Sequence, residues 1–285
     1  MGGGMARNLL VRGFRVTVHD IERTKVDDLA QAGAVACTDA AAAASATSVS
    51  IVCVVDASQC EQVLFSPGGL CERAGGMRGH TVMLCPTIAA QDTEQLASRA
   101  QALGAEVIDA PMSGGPQRAA AGTMSLMVAC SDHVFDAHRT LLEALSSRIF
   151  RLGSRLGDGA RAKLVNNLLA GINLVGAAEA LVLAQRMGLD PQLMLSVIEQ
   201  SSGQSWIGSD RMRRALAGDY EPRAHVTLLE KDTALALHAA QALGLKGPLG
   251  AAAHDVFSRT AQAGMADWDD AAIFKWLAQT MSESP

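Results

Sequence analysis

Hydrophobic residues in the first half of the chain come in short runs set between amphipathic stretches. Phe14-Arg-Val-Thr-Val-His-Asp20 alternates and predicts a strand. Val49-Ser-Ile-Val-Cys-Val-Val55 is almost continuously apolar, the pattern of a strand buried on both faces. Runs at 81–85, 106–109, 125–129 and 148–152 extend the series. Helical periodicity fills 4–12, 24–33, 59–65 and 90–103, and the alanines at 40–44 read as helix. Strand and helix in alternation predict a doubly wound α/β domain with a largely parallel sheet.

The pattern changes after about residue 153. Strand runs stop, and helical spacing takes over at 160–187, 209–217, 224–243, 249–263 and 269–281. Asp190-Pro191 supplies a cap and a first helical residue for another helix over 191–201. The acidic pair Asp269-Asp270 reads as a cap for the last one.

Candidate chemistry concentrates where the two patterns meet, in Gly157-Asp-Gly-Ala-Arg-Ala-Lys163-Leu-Val-Asn166-Asn167. Two glycines lead into a helix on which Lys163, Asn166 and Asn167 stand three and four apart, so an ammonium and one or two amides share a face. From Leu164 to Ala184 that helix carries one charge, Glu179, which predicts a largely buried element. Its length would suit a bilayer, but Asn166, Asn167, Asn173 and Glu179 would be costly in lipid, so no membrane role is expected. A lysine at the mouth of a buried helix ends in water or does chemistry.

Composition narrows the choice. A net charge of −5 gives no reason to expect nucleic acid as a partner. The six cysteines form no CxxC pair and the seven histidines no HExxH, so no metal site is expected. Cysteines inside apolar runs suit a reducing compartment, and with no signal peptide pattern a cytoplasmic protein is expected. His19 beside Asp20 reads as an exposed strand end rather than a catalytic dyad.

The first residues, Met1-Gly-Gly-Gly-Met-Ala-Arg-Asn, look like the end of a dinucleotide-binding turn running into its helix. Asp20 follows Gly2 by eighteen residues, near the spacing at which such folds place the acid that bonds the adenosine ribose. The strand and first two glycines of that fingerprint are missing.

Four segments carry a resemblance to the β-hydroxyacid dehydrogenases, the group containing 3-hydroxyisobutyrate dehydrogenase and tartronate semialdehyde reductase. Met1-Gly2-x-x-Met5-Ala6-x-Asn8-Leu9 is similar to the tail of that family's cofactor turn. Asp109-Ala-Pro-Met-Ser-Gly-Gly115 resembles its substrate-binding segment. Gly157-x-Gly-x-x-x-Lys163-x-x-Asn166-Asn167 resembles its catalytic segment, and Lys231-Asp232 its Lys-Asp pair. The family's Ser-Thr-Ile appears here as Pro86-Thr87-Ile88, which keeps only the threonine.

The resemblance implies a Rossmann domain lacking its first strand over 1–155, then an all-α domain over 156–285, joined by the helix at 160–187. It implies NAD, with NADP possible, held through Met1, Gly2, Asp20, Val54, Val55, Thr87 and Lys231. Lys163 is the implied proton carrier with Asn167 beside it. Ser113, Gly114, Gly115 and Asn166 face the substrate, joined by Trp206, whose Ser202-Gly-Gln-Ser-Trp206 segment resembles a branch acting on four-carbon sugar acids. Asp20 favours NAD by repelling a 2′-phosphate, and Arg23 tempers that preference.

The expected function is hydride transfer between nicotinamide and a small hydroxy acid such as 3-hydroxyisobutyrate, 2-hydroxy-3-oxopropionate or a threonate-like compound. A homodimer or homotetramer is expected from the apolar helical half. A phosphogluconate-type enzyme would want further basic groups, and a related imine reductase would usually lack the lysine. The short cofactor turn leaves open a catalytically impaired nucleotide-binding or scaffold protein. It also leads to the expectation that the natural chain starts further upstream. Without the missing strand, the 14–20 strand and the 49–55 run should both lose their pairing to the rest of the sheet.

Overall fold

In the computed structural model, residues 1–280 are described. The chain divides into two compact units, Met1–Lys163 and Leu164–Pro285, with the division inside one helix. Residue 281, the expected last residue of the final helix, lies outside the described residues.

The first unit begins with α1 (Gly2–Val11), β1 (Thr17–Val18), α2 (Arg23–Gln31), β2 (Val35–Ala36), α3 (Ala40–Ser45), β3 (Val49–Val52) and α4 (Ala57–Phe65). It continues with β4 (Thr81–Leu84), α5 (Ala90–Ala102), β5 (Glu106–Asp109), β6 (Met112–Ser113), α6 (Gly115–Ala121) and β7 (Met124–Ala129). Two short helices, α7 (Asp132–Ala137) and α8 (Arg139–Leu145), precede β8 (Ser146–Gly153). Local chemistry explains several starts. The Asp39 and Asp56 carboxylates accept the Ala42 and Gln59 N–H groups at 2.7 and 2.8 Å, capping α3 and α4.

β3, β4 and β5 pair in parallel, each through four residues, while β7 runs antiparallel to β5 and β6 and parallel to β8. β1 and β2 form a separate parallel pair. Three expectations need correction here. The 49–55 run keeps its place in the main sheet, because its β4 neighbour supplies the ladder; β1 and β2 alone stand apart. Nor is that run buried on both faces: only Val52 in β3 is buried, and Val55 is 47% exposed. β3 is an end strand of its sheet, and an end strand lacks one of the neighbours that would cover it. The strand expected over 14–20 shrinks to Thr17–Val18, since β2 offers only two residues to pair with.

The core of this unit lies on the two faces of the main sheet. Met5, Leu9, Met83, Ile108 and Leu126 pack with α8 on one face; Val82, Leu84, Leu96 and Val107 pack with α4 and α5 on the other. Gly4 sets the approach of α1 to α6, for a Cβ there would lie 3.0 Å from the Ala120 nitrogen and the Pro116 oxygen. Asn8 fixes α1 at its other side by donating from Nδ2 to the Ala144 carbonyl at 2.7 Å.

The second unit is helical. α9 (Asp158–Arg186) spans the division and is followed by α10 (Pro191–Glu199), α11 (Trp206–Leu216), α12 (Val226–Ala242), α13 (Pro248–Thr260) and α14 (Ala272–Thr280). Asp190 and Ser205 cap α10 and α11 through their side chains. Leu174, Ala178, Leu181 and Val182 of α9 meet Met212, Leu229, Phe257 and Phe274 in a single core. Small residues permit the contact: a Cβ on Gly171 would come within 2.8 Å of Thr233 Cγ2, and one on Gly250 within 2.8 Å of Leu168 Cδ1.

The largely buried helix expected from the apolar sequence of α9 needs correction. Val165, Leu169 and Leu183 are 72%, 57% and 57% exposed, so it buries one face and shows an apolar stripe on another. By length and composition it is the one helix among the described residues that could cross a membrane.

Candidate active site

The C-terminal ends of the parallel strands carry three candidate residues of the first unit, and Asp109 beside them. Val54 and Val55 follow β3, Thr87 follows β4, and Asp109 ends β5. In open α/β sheets this is the edge at which ligands bind. The amino end of α1 lies beside it, where a Cβ on Gly2 would be 3.3 Å from that of Cys53. No side chain caps α1, and Gly3 has open space around it, so its first N–H groups can be approached by an anion. These features fit a dinucleotide pyrophosphate. Val55 donates its N–H to Gln59 Oε1 at 2.9 Å, which fixes the loop after β3.

Asp20 and His19 are both exposed beyond β1, as their sequence predicts. The Asp20 carboxylate accepts the Glu22 N–H at 2.9 Å. Arg23 is held 3.0 Å from Asp27, one turn along α2, rather than against Asp20.

Beyond β5 the chain makes a tight turn through Ser113, Gly114 and Gly115 into α6. Gly114 has φ 133°, in a region that L side chains avoid, and a Cβ there would meet Arg118 Cδ at 2.9 Å. Ser113 stays in register with Ser125 of β7. The turn therefore presents backbone and one hydroxyl with little side-chain bulk.

α9 begins against the same strand end. Asp109, 1% exposed, accepts the N–H groups of Gly157 and Ala160 on Oδ2 at 2.9 and 3.2 Å. The Gly159 N–H is a third donor to this carboxylate. Burial pushes the Asp109 carboxyl up to about 6, against the pull of these three N–H groups. Lys163, 7% exposed, lies one turn further along α9. The sequence marked Asp109 only as the first letter of a motif.

In the second unit Asn167, Asp232 and Lys231 form a buried network. Asn167 Nδ2 donates to Asp232 Oδ2 at 2.6 Å, and Lys231 Nζ lies 2.7 Å from Asp232 Oδ1. Asn166 donates to Asn167 Oδ1 at 2.9 Å but is itself exposed, because adjacent helical residues point about 100° apart. Asp232, 6% exposed, is the centre of this network, and sequence reasoning left it out of the candidate residues. Its signal was present in the Lys231-Asp232 pair.

Trp206 stands apart from that network. It is 54% exposed at the start of α11, lining a concavity of about 310 Å³ with Glu199, Gln204, Asp210 and Arg213.

Comparison with known proteins bears on the whole chain. Residues 1–153 match the NAD binding domain of 6-phosphogluconate dehydrogenase, and residues 157–277 match the family described as NAD-binding of NADP-dependent 3-hydroxyisobutyrate dehydrogenase. L-threonate dehydrogenase of Cupriavidus necator is 36% identical over 96% of this chain and 92% of its own length. 3-Hydroxyisobutyrate dehydrogenase of Pseudomonas aeruginosa is 37% identical over 92% and 90%. The solved structure of Psf3 in complex with NADP+ and 2-OPP superposes with a TM-score of 0.90 at 30% identity, covering 97% of this chain and 96% of that one. Both halves of the chain thus match nicotinamide-dependent relatives, and the glycine-rich start of α1 suits NAD or NADP as the cofactor. The chain belongs to the β-hydroxyacid dehydrogenases, a family of NAD(P)-dependent oxidoreductases of the 3-hydroxyacid dehydrogenase type.

Proposed function

We propose that this protein interconverts a three- or four-carbon hydroxy acid, of the threonate or 3-hydroxyisobutyrate type, with its oxo form, and that Lys163 moves the proton. The observation that carries this is a lysine 7% exposed, one turn inside the amino end of α9. That burial takes the amine out of bulk water, and a helix amino end disfavours its charged form. Bound NAD or NADP would supply hydride acceptance in oxidation and hydride donation in reduction. During oxidation the neutral Lys163 amine accepts the hydroxyl proton at Nζ; during reduction its ammonium returns that proton.

Asn167 orients the lysine or the substrate hydroxyl, and its bond to Asp232 fixes the amide. Ser113 and the N–H groups around Gly114 and Gly115 hold the carboxylate, with Asn166 and Trp206 as further substrate contacts. For the cofactor, the proposed contacts are Met1 and Gly2 at the uncapped end of α1 and Val54, Val55 and Thr87 along the strand ends, with Lys231 of α12 as a further one. Asp20 bonds the ribose, so NAD is preferred to NADP; the Arg23–Asp27 pair supports that preference. The functional boundary is drawn at 155/156, before the turn into α9. The exposed stripe of Val165, Leu169 and Leu183 favours a homodimer or homotetramer, and a cytoplasmic location fits the relatives' chemistry.

Lys163→Ala tests the reading. Turnover on the best substrate from a panel of small hydroxy acids should fall by ~10²–10⁴ while NAD affinity stays nearly unchanged. Turnover within a few-fold of the parent would refute the role of Lys163. Esterifying the substrate carboxylate should abolish activity, and an ester oxidised as well as the acid would refute the substrate class.

A further inference from the structure

Three N–H groups at the start of α9 converge on one buried carboxylate brought by another strand. Asp109 is 48 residues from Gly157 and reaches it from the end of β5, where Asp109 pairs with Leu84 on one side and Ala129 on the other. The carboxylate is therefore anchored in the main sheet. The α9 turn is shaped around it: Gly157 has φ 93°, and a Cβ on Gly159 would lie 2.8 Å from Asp109 Cγ and Oδ1 and 2.7 Å from the Met127 carbonyl. Side chains at either position would push the helix start off the carboxylate.

We infer that Asp109 is a positioning residue for the hydride-transfer reaction, holding the start of α9, and with it Lys163, in fixed register with the Ser113–Gly115 turn. The inference rests on the proposed role of Lys163. The connection is short at both ends. Three residues separate Asp109 from Ser113, and Lys163 follows Ala160 by three positions, within a single helical turn. One carboxyl group thus links the backbone that would hold the substrate carboxylate to the helix that carries the amine. A helix start displaced by about 1 Å can cost on the order of a hundredfold in rate.

The same carboxyl provides a readout that a purely structural residue would not. Its proton equilibrium lies at about 6, so the three-donor cap is complete above that pH and loses acceptor capacity below it. Asp158 on α9 raises this equilibrium further. The other charges at this turn are Arg155 and Arg161, both paired with Glu94 of α5, and Lys163 itself; the buried thiols of Cys85 and Cys130 feel the Asp109 charge.

The test uses Asp109→Asn in the full chain. Asparagine keeps the shape and one acceptor oxygen but cannot ionise. Turnover on the best substrate of the hydroxy-acid panel should fall about tenfold to a hundredfold. NAD affinity should stay within about threefold, and in the reduction direction, where protonated Lys163 is the active form, the parent's loss of kcat below pH 6 should vanish from the variant's profile. A variant with the parent's kcat and pH profile would overturn the inference.

Should Asp109→Asn fail to fold, hydrogen exchange on the parent, free of substrate, replaces it. In local openings that leave Asp109 buried in the sheet, protection of the Gly157, Gly159 and Ala160 amides should drop as pH falls through about 6, because those N–H groups favour the carboxylate over its protonated form. Protection unchanged from pH 8 to pH 5 would overturn the inference. The two readings fail separately: parent-like turnover in Lys163→Ala refutes the lysine's role, whereas unchanged amide protection refutes only the cap.

Discussion

Two buried acidic sites in this molecule hold their charge by different means. At the mouth of α9, Asp109 is bonded by backbone N–H groups alone. Between α11 and α14, Asp269 and Asp270 are bonded chiefly by arginines: Arg214 Nη2 donates to Asp269 at 2.8 Å, and Arg211 Nε to Asp270 at 2.6 Å. Asp269 also takes the Arg223 and Ala271 N–H groups; Ala271 lies just before α14, so this side chain closes the turn leading into that helix. Burial works to raise both of those carboxyls. Asp269 nevertheless ends below its ordinary value, because Arg214 and the two N–H groups outweigh burial, whereas Asp270 is left at about 7. The arginine cluster fastens two helices within one unit. The N–H cluster fastens main chain to main chain at the candidate catalytic lysine, where position matters more than net binding.

That contrast predicts opposite consequences when each site is broken. Asp269→Ala should give the largest loss of stability, about 3–5 kcal/mol, by leaving the buried Arg214 charge with only Asp210, 3.8 Å from its Nε, to offset it. Arg214 already has Nε and Nη1 without hydrogen-bond partners, so its bond to Asp269 is the main compensation. Denaturant unfolding measures the loss; kcat of the folded fraction should stay within about twofold. A parent-like unfolding midpoint would show that the cluster is not what secures α14.

Asp109→Asn should behave differently. A carboxyl raised from 3.8 to about 6 on folding favours the native state while protonated, and that advantage is lost as pH rises through the folded value. The parent should therefore lose up to roughly 3 kcal/mol relative to the variant between pH 4 and pH 7. Melting curves across that range check the sign: a gap that widened in the parent's favour with rising pH would contradict it.

A glycine pair sharpens the comparison at smaller cost. Gly159→Ala and Gly171→Ala each bring a Cβ within 2.8 Å of a neighbour, but the first meets a carboxylate and a carbonyl and the second a threonine methyl. Both should destabilise by about 1–3 kcal/mol through overpacking. Only Gly159→Ala should also lower kcat, so equal kcat in the two variants would remove the special status of the α9 mouth.

Asp20 is an exposed counterpart, held by neither device. Asp20→Ala should leave the melting temperature unchanged and narrow the preference for NAD over NADP a few-fold, as kcat/KM for each cofactor would show. A parent that prefers NADP would refute the assignment.

Much of this was legible in the residue order. Alternating runs over 49–109 and helical spacing after 158 state the α/β-then-α organisation, because period two and period 3.6 are written in consecutive side chains. The α9 boundaries, expected at 160–187 and found at 158–186, follow from the glycines before the helix and the loss of apolar spacing after it. The Lys163–Asn167 spacing placed two buried polar groups on one helix face.

Other features depend on partners distant in sequence. Which strands would be end strands was not written in the 49–55 run; burial of Val52 but not Val55 follows from β3 having a neighbour on one side only. The antiparallel insertion of β7 beside β5 depends on pairing between Asp109 and Ala129, twenty positions apart. Asp232 gained its place beside Asn167 across 65 residues. Asp109 shows the division most clearly. Sequence alone determined that an acid ends the 106–109 strand and that glycines precede the lysine. Only the tertiary structure brought that acid under the first N–H groups of α9, because an unpaired helix terminus accepts any buried acceptor that the fold delivers to it.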